Sequence, residues 1–239
     1  MRLAIFYAPR EADALHDAAS RWLGRDVLRS VNREQPSPIS GINLGELTRE
    51  PRRYGFHATL KPPFALAAGG SATALVSAVS GVASQSAPIT IPALRIDRID
   101  RFFALTAIGS QRELSHLASC CVVDLDSFRA PPSLAELMRR RALGLSERQE
   151  LLLHRWGYPF VMEEYRFHLT LTGTCDDAVA PTLEAALAEH FAAVLGKPLT
   201  VDALSIFVEP AAGEPFVFLT RVPLTGRSLW TESRILATG

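Results

Sequence analysis

The sequence predicts an α+β fold: a bilobed internal duplication in which two antiparallel sheets face a central cleft and helices lie on their outer sides. Three observations carry this expectation. First, Phe56-His57-Ala58-Thr59-Leu60 and Phe167-His168-Leu169-Thr170-Leu171 both read aromatic-His-x-Thr-Leu, at an offset of 111 residues. Second, a near-identical offset of 110 recurs away from the histidines, where Ile89-Thr90-Ile91-Pro92-Ala93-Leu94 reads against Leu199-Thr200-Val201-Asp202-Ala203-Leu204. Third, Phe103-Ala104-Leu105-Thr106 reads against Val217-Phe218-Leu219-Thr220, so that each half runs His strand, small-residue helix, strand, strand. Two copies at a fixed offset indicate a duplicated unit, since a solenoid needs at least three. The expected organisation is one bilobed domain over residues 1–239, with repeat halves at about 1–110 and 156–239 joined by a helical insertion at about 111–155.

Leu3 to Ala8 is a continuous apolar run stopped by Pro9, and reads as a buried strand. Ala12 to Leu23 has apolar residues at helical spacing, with Gly24 placed to cap the helix. Pro36, Pro38, Gly41, Gly45 and Pro51 break any pattern between Ser30 and Arg53, which is expected to be irregular: a lid over the site or a long connection. The first His strand is expected over Tyr54 to Leu60, ended by Pro62-Pro63, and is followed by a helix from Ser71 to Ser84. Strands near 89–96 and 101–108 are expected to form a hairpin turning at Asp97 to Asp100. Gln111 to about Leu125 reads as a helix closed by Arg129-Ala130-Pro131-Pro132. Ser133 with Glu136, and Ser146 with Gln149, are capping-box pairs for two further helices that have no counterpart in the first half. The second His strand is expected over Glu164 to Thr172 and a helix over Asp176 to Leu195. Strands near 199–208 and 215–222 turn through Pro210 to Gly213, and the segment after Pro223 is weakly patterned.

Bulk composition bounds the function. Of 239 residues, 48 % are apolar and 21 % charged, the proportions of a globular protein. Lys+Arg and Asp+Glu number 25 each, so no net field favours a nucleic-acid or membrane partner. The apolar run at the N-terminus is too short for a signal-peptide core, and no stretch reaches the length of a membrane span. Cys120, Cys121 and Cys175 form neither a disulfide framework nor a Cys-x-x-Cys pair, which fits a reducing, cytoplasmic compartment.

The chemistry sits in the two motifs. Side chains alternate along a strand, so His57 shares a face with Thr59, and His168 with Thr170, while the flanking Phe and Leu anchor the opposite face. Two such strands set two imidazoles and two hydroxyls around one small anion, a catalytic layout that needs no cofactor. One imidazole can take a proton from an attacking oxygen while the other gives one to a departing oxygen. A phosphodiester suits this arrangement, the threonine hydroxyls donating to its non-bridging oxygens. Which histidine is acid and which is base stays open. Regular alternation also sets Lys61 on the His57 face and Arg166 on the His168 face, where a cation can neutralise phosphate, and Tyr7 of the first strand can reach a sugar or base. Neither motif offers a neighbouring carboxylate or a second histidine at metal-ligand spacing, so no metal is expected. No Gly-x-Ser-x-Gly elbow is present for nucleophilic catalysis. The alternative from another class is a binding module that holds a phosphorylated metabolite or an RNA end without turnover.

The paired motifs resemble those of the two-histidine phosphoesterase superfamily. The stretch from Arg53 through Phe64, together with Phe128-Arg129-Ala130-Pro131, Trp156-Gly157-Tyr158-Pro159 and Phe167 to Gly173, is similar to a bacterial subfamily of phosphonate-operon proteins. That resemblance implies metal-independent phosphodiesterase chemistry, with His57 and His168 as the acid-base pair and Thr59 and Thr170 holding the phosphate. It implies as substrate a small phosphorylated sugar or nucleotide, such as a ribose cyclic phosphate of phosphonate catabolism.

Overall fold

A computed structural model describes residues 1–227 of the chain. In chain order the elements are β1 Arg2–Tyr7, α1 Ala14–Leu23, β2 Arg25–Asp26, β3 Val31–Asn32, α2 Leu44–Leu47, α3 Arg49–Tyr54, β4 Ala58–Phe64 and α4 Ala72–Gln85. They continue with β5 Ile89–Ile91, β6 Ala93–Ile99, β7 Phe102–Ile108, α5 Arg112–Asp124, α6 Leu134–Arg141, α7 Glu147–Trp156 and β8 His168–Thr170. The chain ends its described part with α8 Ala180–Phe191, β9 Leu199–Val201, β10 Ala203–Glu209 and β11 Val217–Pro223. Short 3-10 turns lie at Asp126–Phe128 and Met162–Glu164.

The fold is α+β, and its main sheet is antiparallel in the order β11-β10-β1-β4-β8-β7-β6. The two expected sheets are therefore joined into one seven-stranded sheet. The joint is narrow: β4 and β8 share the single pair Ala58↔Leu169. Each side of that seam draws on both sequence halves, since hairpin β6–β7 lies against β8 while hairpin β10–β11 lies against β1. Ala58 and Leu169 are equivalent positions of the two motifs. Strand β5 likewise pairs with its own repeat partner β9, centred on Thr90↔Thr200. Equivalent residues meet at both places, as a local two-fold axis through the duplication requires.

One face of the sheet is covered by α1, α4, α5 and α8, which bury Leu3, Ile5, Tyr7, Ala58, Leu60, Leu105 and Leu169 in a single core. Each of the leucines and Ile5 in this set contributes roughly 1.5–3 kcal/mol relative to exposure. The opposite face carries a smaller cluster of Ala4, Phe6, Ala8, Val27, Phe207 and Phe216. Phe6 of this cluster stacks on His57, so the first motif histidine stands on this second face, at the seam between β4 and β8.

Helix ends follow their sequence signals. Gly24 and Gly157 close α1 and α7 in the left-handed conformation, and both expected capping boxes, Ser133–Glu136 and Ser146–Gln149, are formed. Four expectations need correction. The segment 30–53 is not irregular throughout. It contains α2 and α3, and Arg52 braces it internally by donating to the Gly45 carbonyl and the Thr48 hydroxyl while tying it to α1 through the Leu23 carbonyl. Strand β4 starts after His57 and includes Pro62 and Pro63. A register shift between the Leu3↔Phe64 and Ile5↔Lys61 pairs sets the two prolines opposite Ala4, and such a bulge tolerates residues that lack an N–H. The second His strand shrinks to three residues because the 3-10 turn and an extended run occupy the start of the expected span. The expected strand 89–96 is two strands, β5 pairing across the repeat and β6 forming the hairpin with β7, whose turn holds Asp100 at φ 51.

Candidate active site

Four side chains define the site, and one residue pair places them. Ala58 and Leu169 face each other and point into the helix-covered core. Continuing that register sets His57 beside Thr170 and Thr59 beside His168, all four on the open face. His57 Nε2 lies 3.2 Å from Thr59 Oγ1. Both rings are held in the same way. His57 Nδ1–H donates to the Gly55 carbonyl at 2.8 Å, and His168 Nδ1–H donates to the Arg166 carbonyl at 2.8 Å. Each bond reaches back two residues, so the duplication extends to the tautomer: the proton sits on Nδ1 and Nε2 keeps its lone pair, which at His57 lies beside the Thr59 hydroxyl.

Aromatic walls confine the two imidazoles. Phe6 stacks on His57 with ring centroids 3.8 Å apart, and Tyr54 lies on it at 5.9 Å, backed by Phe216. Phe102 flanks His168 at 5.8 Å. Burial among these rings pushes the His57 pKa down to about 4; the Gly55 carbonyl opposes the shift and the neighbouring His168 adds to it. Burial also lowers the His168 pKa, against the Arg166 carbonyl and with help from the Arg166 charge. Both rings are therefore neutral at pH 7 in the free protein. The unfolded chain binds more protons than the folded one between pH 6.5 and about 4, so stability is full above 6.5 and falls as pH drops through that window. The His57 share of this loss is about 3 kcal/mol by pH 4. Thermal unfolding of wild type and His57→Ala across pH 4–7 is expected to show a flatter curve for the variant.

The remaining candidates divide. Thr170 is half-buried beside the seam, and Arg166 is exposed next to His168 with no carboxylate partner among the described residues. Tyr7 does not reach the cleft. It pairs with Ala58, shares that residue's core face at 1 % exposure, and donates its hydroxyl to the Thr200 carbonyl. Lys61 is corrected too. The bulge pairs it with core-facing Ile5, and its ammonium, 2 % exposed, donates to the Val122 carbonyl at 3.0 Å and faces Asp126 at 3.7 Å. Burial lowers its pKa to about 8, with Asp126 opposing the shift. Lys61→Met is expected to destabilise the fold by about 1–3 kcal/mol, the cost of stranding a buried carbonyl, without changing KM; unfolding and kinetics on one preparation check this.

Sequence reading missed Phe6, Tyr54 and Phe102. Alternation separates Phe6 from Tyr7, and the pairing of Phe6 with Thr59 puts it on the face of the histidines. Arg53, in the last turn of α3, is engaged by buried Glu209 at 2.7 Å and by the Tyr54 hydroxyl at 2.8 Å. Among the described residues no group of three or more His, Cys, Asp or Glu side chains is placed to hold a metal ion. No described helix is long and apolar enough to cross a membrane.

Residues 59–217 match a family described as "Protein of unknown function (DUF1045)", and the chain belongs to that family. A protein named "Ribose 1,5-bisphosphate phosphokinase PhnN" from Janthinobacterium sp. (strain Marseille) is 38 % identical over 238 residues, which is 95 % of this chain and 51 % of that protein. The chain thus spans about half the length of that relative. Two solved structures are similar at low identity. TT0787 of Thermus thermophilus is 15 % identical with a TM-score of 0.47, covering 95 % of this chain and 100 % of that one. LigT of E. coli, solved with 3'-AMP, is 13 % identical with a TM-score of 0.45, covering 94 % of this chain and 98 % of that one.

Proposed function

We propose that the chain is a two-histidine phosphoesterase that opens a small cyclic phosphodiester, a ribose cyclic phosphate, by acid-base catalysis without a metal. The observation that carries this reading is the pair of His-x-Thr units meeting at Ala58↔Leu169, each imidazole locked through Nδ1 so that Nε2 is left to exchange a proton. A neutral Nε2 takes a proton from water as its oxygen attacks phosphorus. The other imidazole, protonated, gives its Nε2 proton to the ring oxygen that leaves, so the water O–P bond forms as the ring P–O bond breaks. The Thr59 and Thr170 hydroxyls donate to the non-bridging oxygens, where charge develops. Exposed Arg166 adds positive charge on the His168 side.

The free protein holds both rings neutral, so one proton must arrive with the substrate. The phosphodiester anion supplies the opposite charge that raises the pKa of the acid histidine. The relative's printed name supports the sugar assignment, since it concerns a ribose carrying two phosphates. The chain has no Gly-x-x-x-x-Gly-Lys-Ser/Thr loop to cradle a nucleotide phosphate, so a kinase reading finds no support in its own motifs.

Turnover of ribose 1,2-cyclic phosphate, nucleoside 2′,3′-cyclic phosphates and ADP-ribose 1″,2″-cyclic phosphate, with and without chelator, tests the reading. Chelator-resistant ring opening of the ribose ester is expected. Turnover that vanishes with chelator contradicts the metal-free mechanism, and tight binding without turnover identifies a binding module.

A further inference from the structure

Among the described α-helices, α6 alone buries none of its residues. Polar contacts hold it in place. Glu136 faces Arg2 at 3.7 Å, Arg141 pairs with Glu150, and the Arg140 guanidinium lies over the Tyr158 ring at 4.5 Å. These contacts lead into the site. Arg2 binds Glu209, Glu209 binds Arg53, Arg53 binds the Tyr54 hydroxyl, and Tyr54 stacks on His57. Arg2 also lies on the face of β1 that carries Ala4 and Phe6, the cleft face.

The cations along this path are not equivalent. Arg2 and Arg53 are taken up by buried Glu209, and Arg141 by Glu150. Arg139 reaches Glu136 only at 4.0 Å, a carboxylate already shared with Arg2. Arg140 meets no carboxylate among the described residues. Arg139 and Arg140 stand three and four residues beyond Glu136, on the helix face that Glu136 turns toward Arg2, and Tyr158 packs beneath the second of them. Stacking on Tyr158 leaves the edges of the Arg140 fork free to donate, the geometry that suits a phosphate dianion. A helix without apolar anchors also moves at little cost, so an anion that bridges its arginines can draw it toward the cleft.

We propose that Arg139, Arg140 and the Tyr158 hydroxyl form a second anion subsite, which takes a phosphate monoester carried by the substrate at a distance from its phosphodiester. The inference rests on the phosphodiesterase reading for the position of the reacting phosphate, and goes beyond it in assigning a second charged group and the residues that select it.

The test compares ribose 1,2-cyclic phosphate with and without a 5-phosphate, using wild type, the double variant Arg139→Ala/Arg140→Ala and Arg141→Ala. Wild type is expected to prefer the 5-phosphorylated ester by about 100-fold in kcat/KM, in line with two charge-assisted hydrogen bonds. The double variant is expected to lose that preference through KM, and Arg141→Ala to keep it. No preference in wild type, or a preference that survives the double variant, overturns the proposal. If wild type turns over neither ester, the phosphodiesterase reading fails by itself. Calorimetry with ribose 5-phosphate then decides the subsite: a tenfold or greater weakening in the double variant supports it, and equal affinity overturns it.

Discussion

Replacing either His57 or His168 with alanine is expected to slow opening of a cyclic phosphodiester by about 10³-fold, the usual contribution of a positioned acid or base. That loss corresponds to about 4 kcal/mol of transition-state stabilisation. The fold should survive both changes, because each imidazole stands on the open face and its anchors, Phe56, Ala58, Phe167 and Leu169, are buried behind it. The two variants separate on a substrate with a p-nitrophenolate leaving group, which departs without a proton. The variant lacking the acid is expected to recover most of its rate on the aryl ester, while the variant lacking the base stays slow. Steady-state kinetics of both variants on both esters therefore assigns the roles that the local symmetry of the site leaves equivalent. Equal rates for wild type and either variant on the cyclic ester contradict the mechanism.

Gly55→Ala is expected to be the most damaging single methyl group near the site. Gly55 adopts φ 78 and ψ 176, a region essentially reserved for glycine. A Cβ there lies 2.3 Å from the Cβ of Val27, which is fully buried. Backbone strain of about 1–3 kcal/mol and overpacking of about 1–3 kcal/mol together give about 4 kcal/mol. For a chain of this size that lowers Tm by about 10 °C. Activity should fall beyond the loss of stability, because the Gly55 carbonyl holds the His57 ring. Gly144→Ala is the control. Its φ is 73 and a Cβ there meets nothing within 4 Å, so only the backbone cost of about 1 kcal/mol applies. Thermal unfolding of the two variants side by side checks the difference.

Much of this architecture is legible in the sequence because local chemistry and the repeat agree. The offset between the two motifs is also the register at which Ala58 meets Leu169, and the offset between Ile89 and Leu199 foreshadows the pairing of β5 with β9. Ser133, Ser146, Gly24 and Gly157 mark helix ends through interactions within a few residues. What stays hidden depends on partners distant in sequence. Alternation along β1 separates Phe6 from Tyr7, but only the pairing of Phe6 with Thr59 shows which of them looks into the cleft. Lys61 sits two residues after Thr59, and alternation assigns both to one face. The bulge in the β1–β4 ladder shifts the register between them and turns Lys61 to the core, where Val122 and Asp126 receive it. The polar path from α6 to Tyr54 is likewise invisible locally, because Arg2 and Glu209 stand at opposite ends of the chain.

The central claim is that His57 and His168 converge on one anion, and imidazole nitrogen NMR during a titration with inorganic phosphate tests it most directly. The Nε2 resonances of both histidines are expected to shift with a single shared Kd, and the pKa of at least one ring to rise from its depressed value in the free protein. Shifts at only one histidine, or different Kd values for the two, would contradict the account.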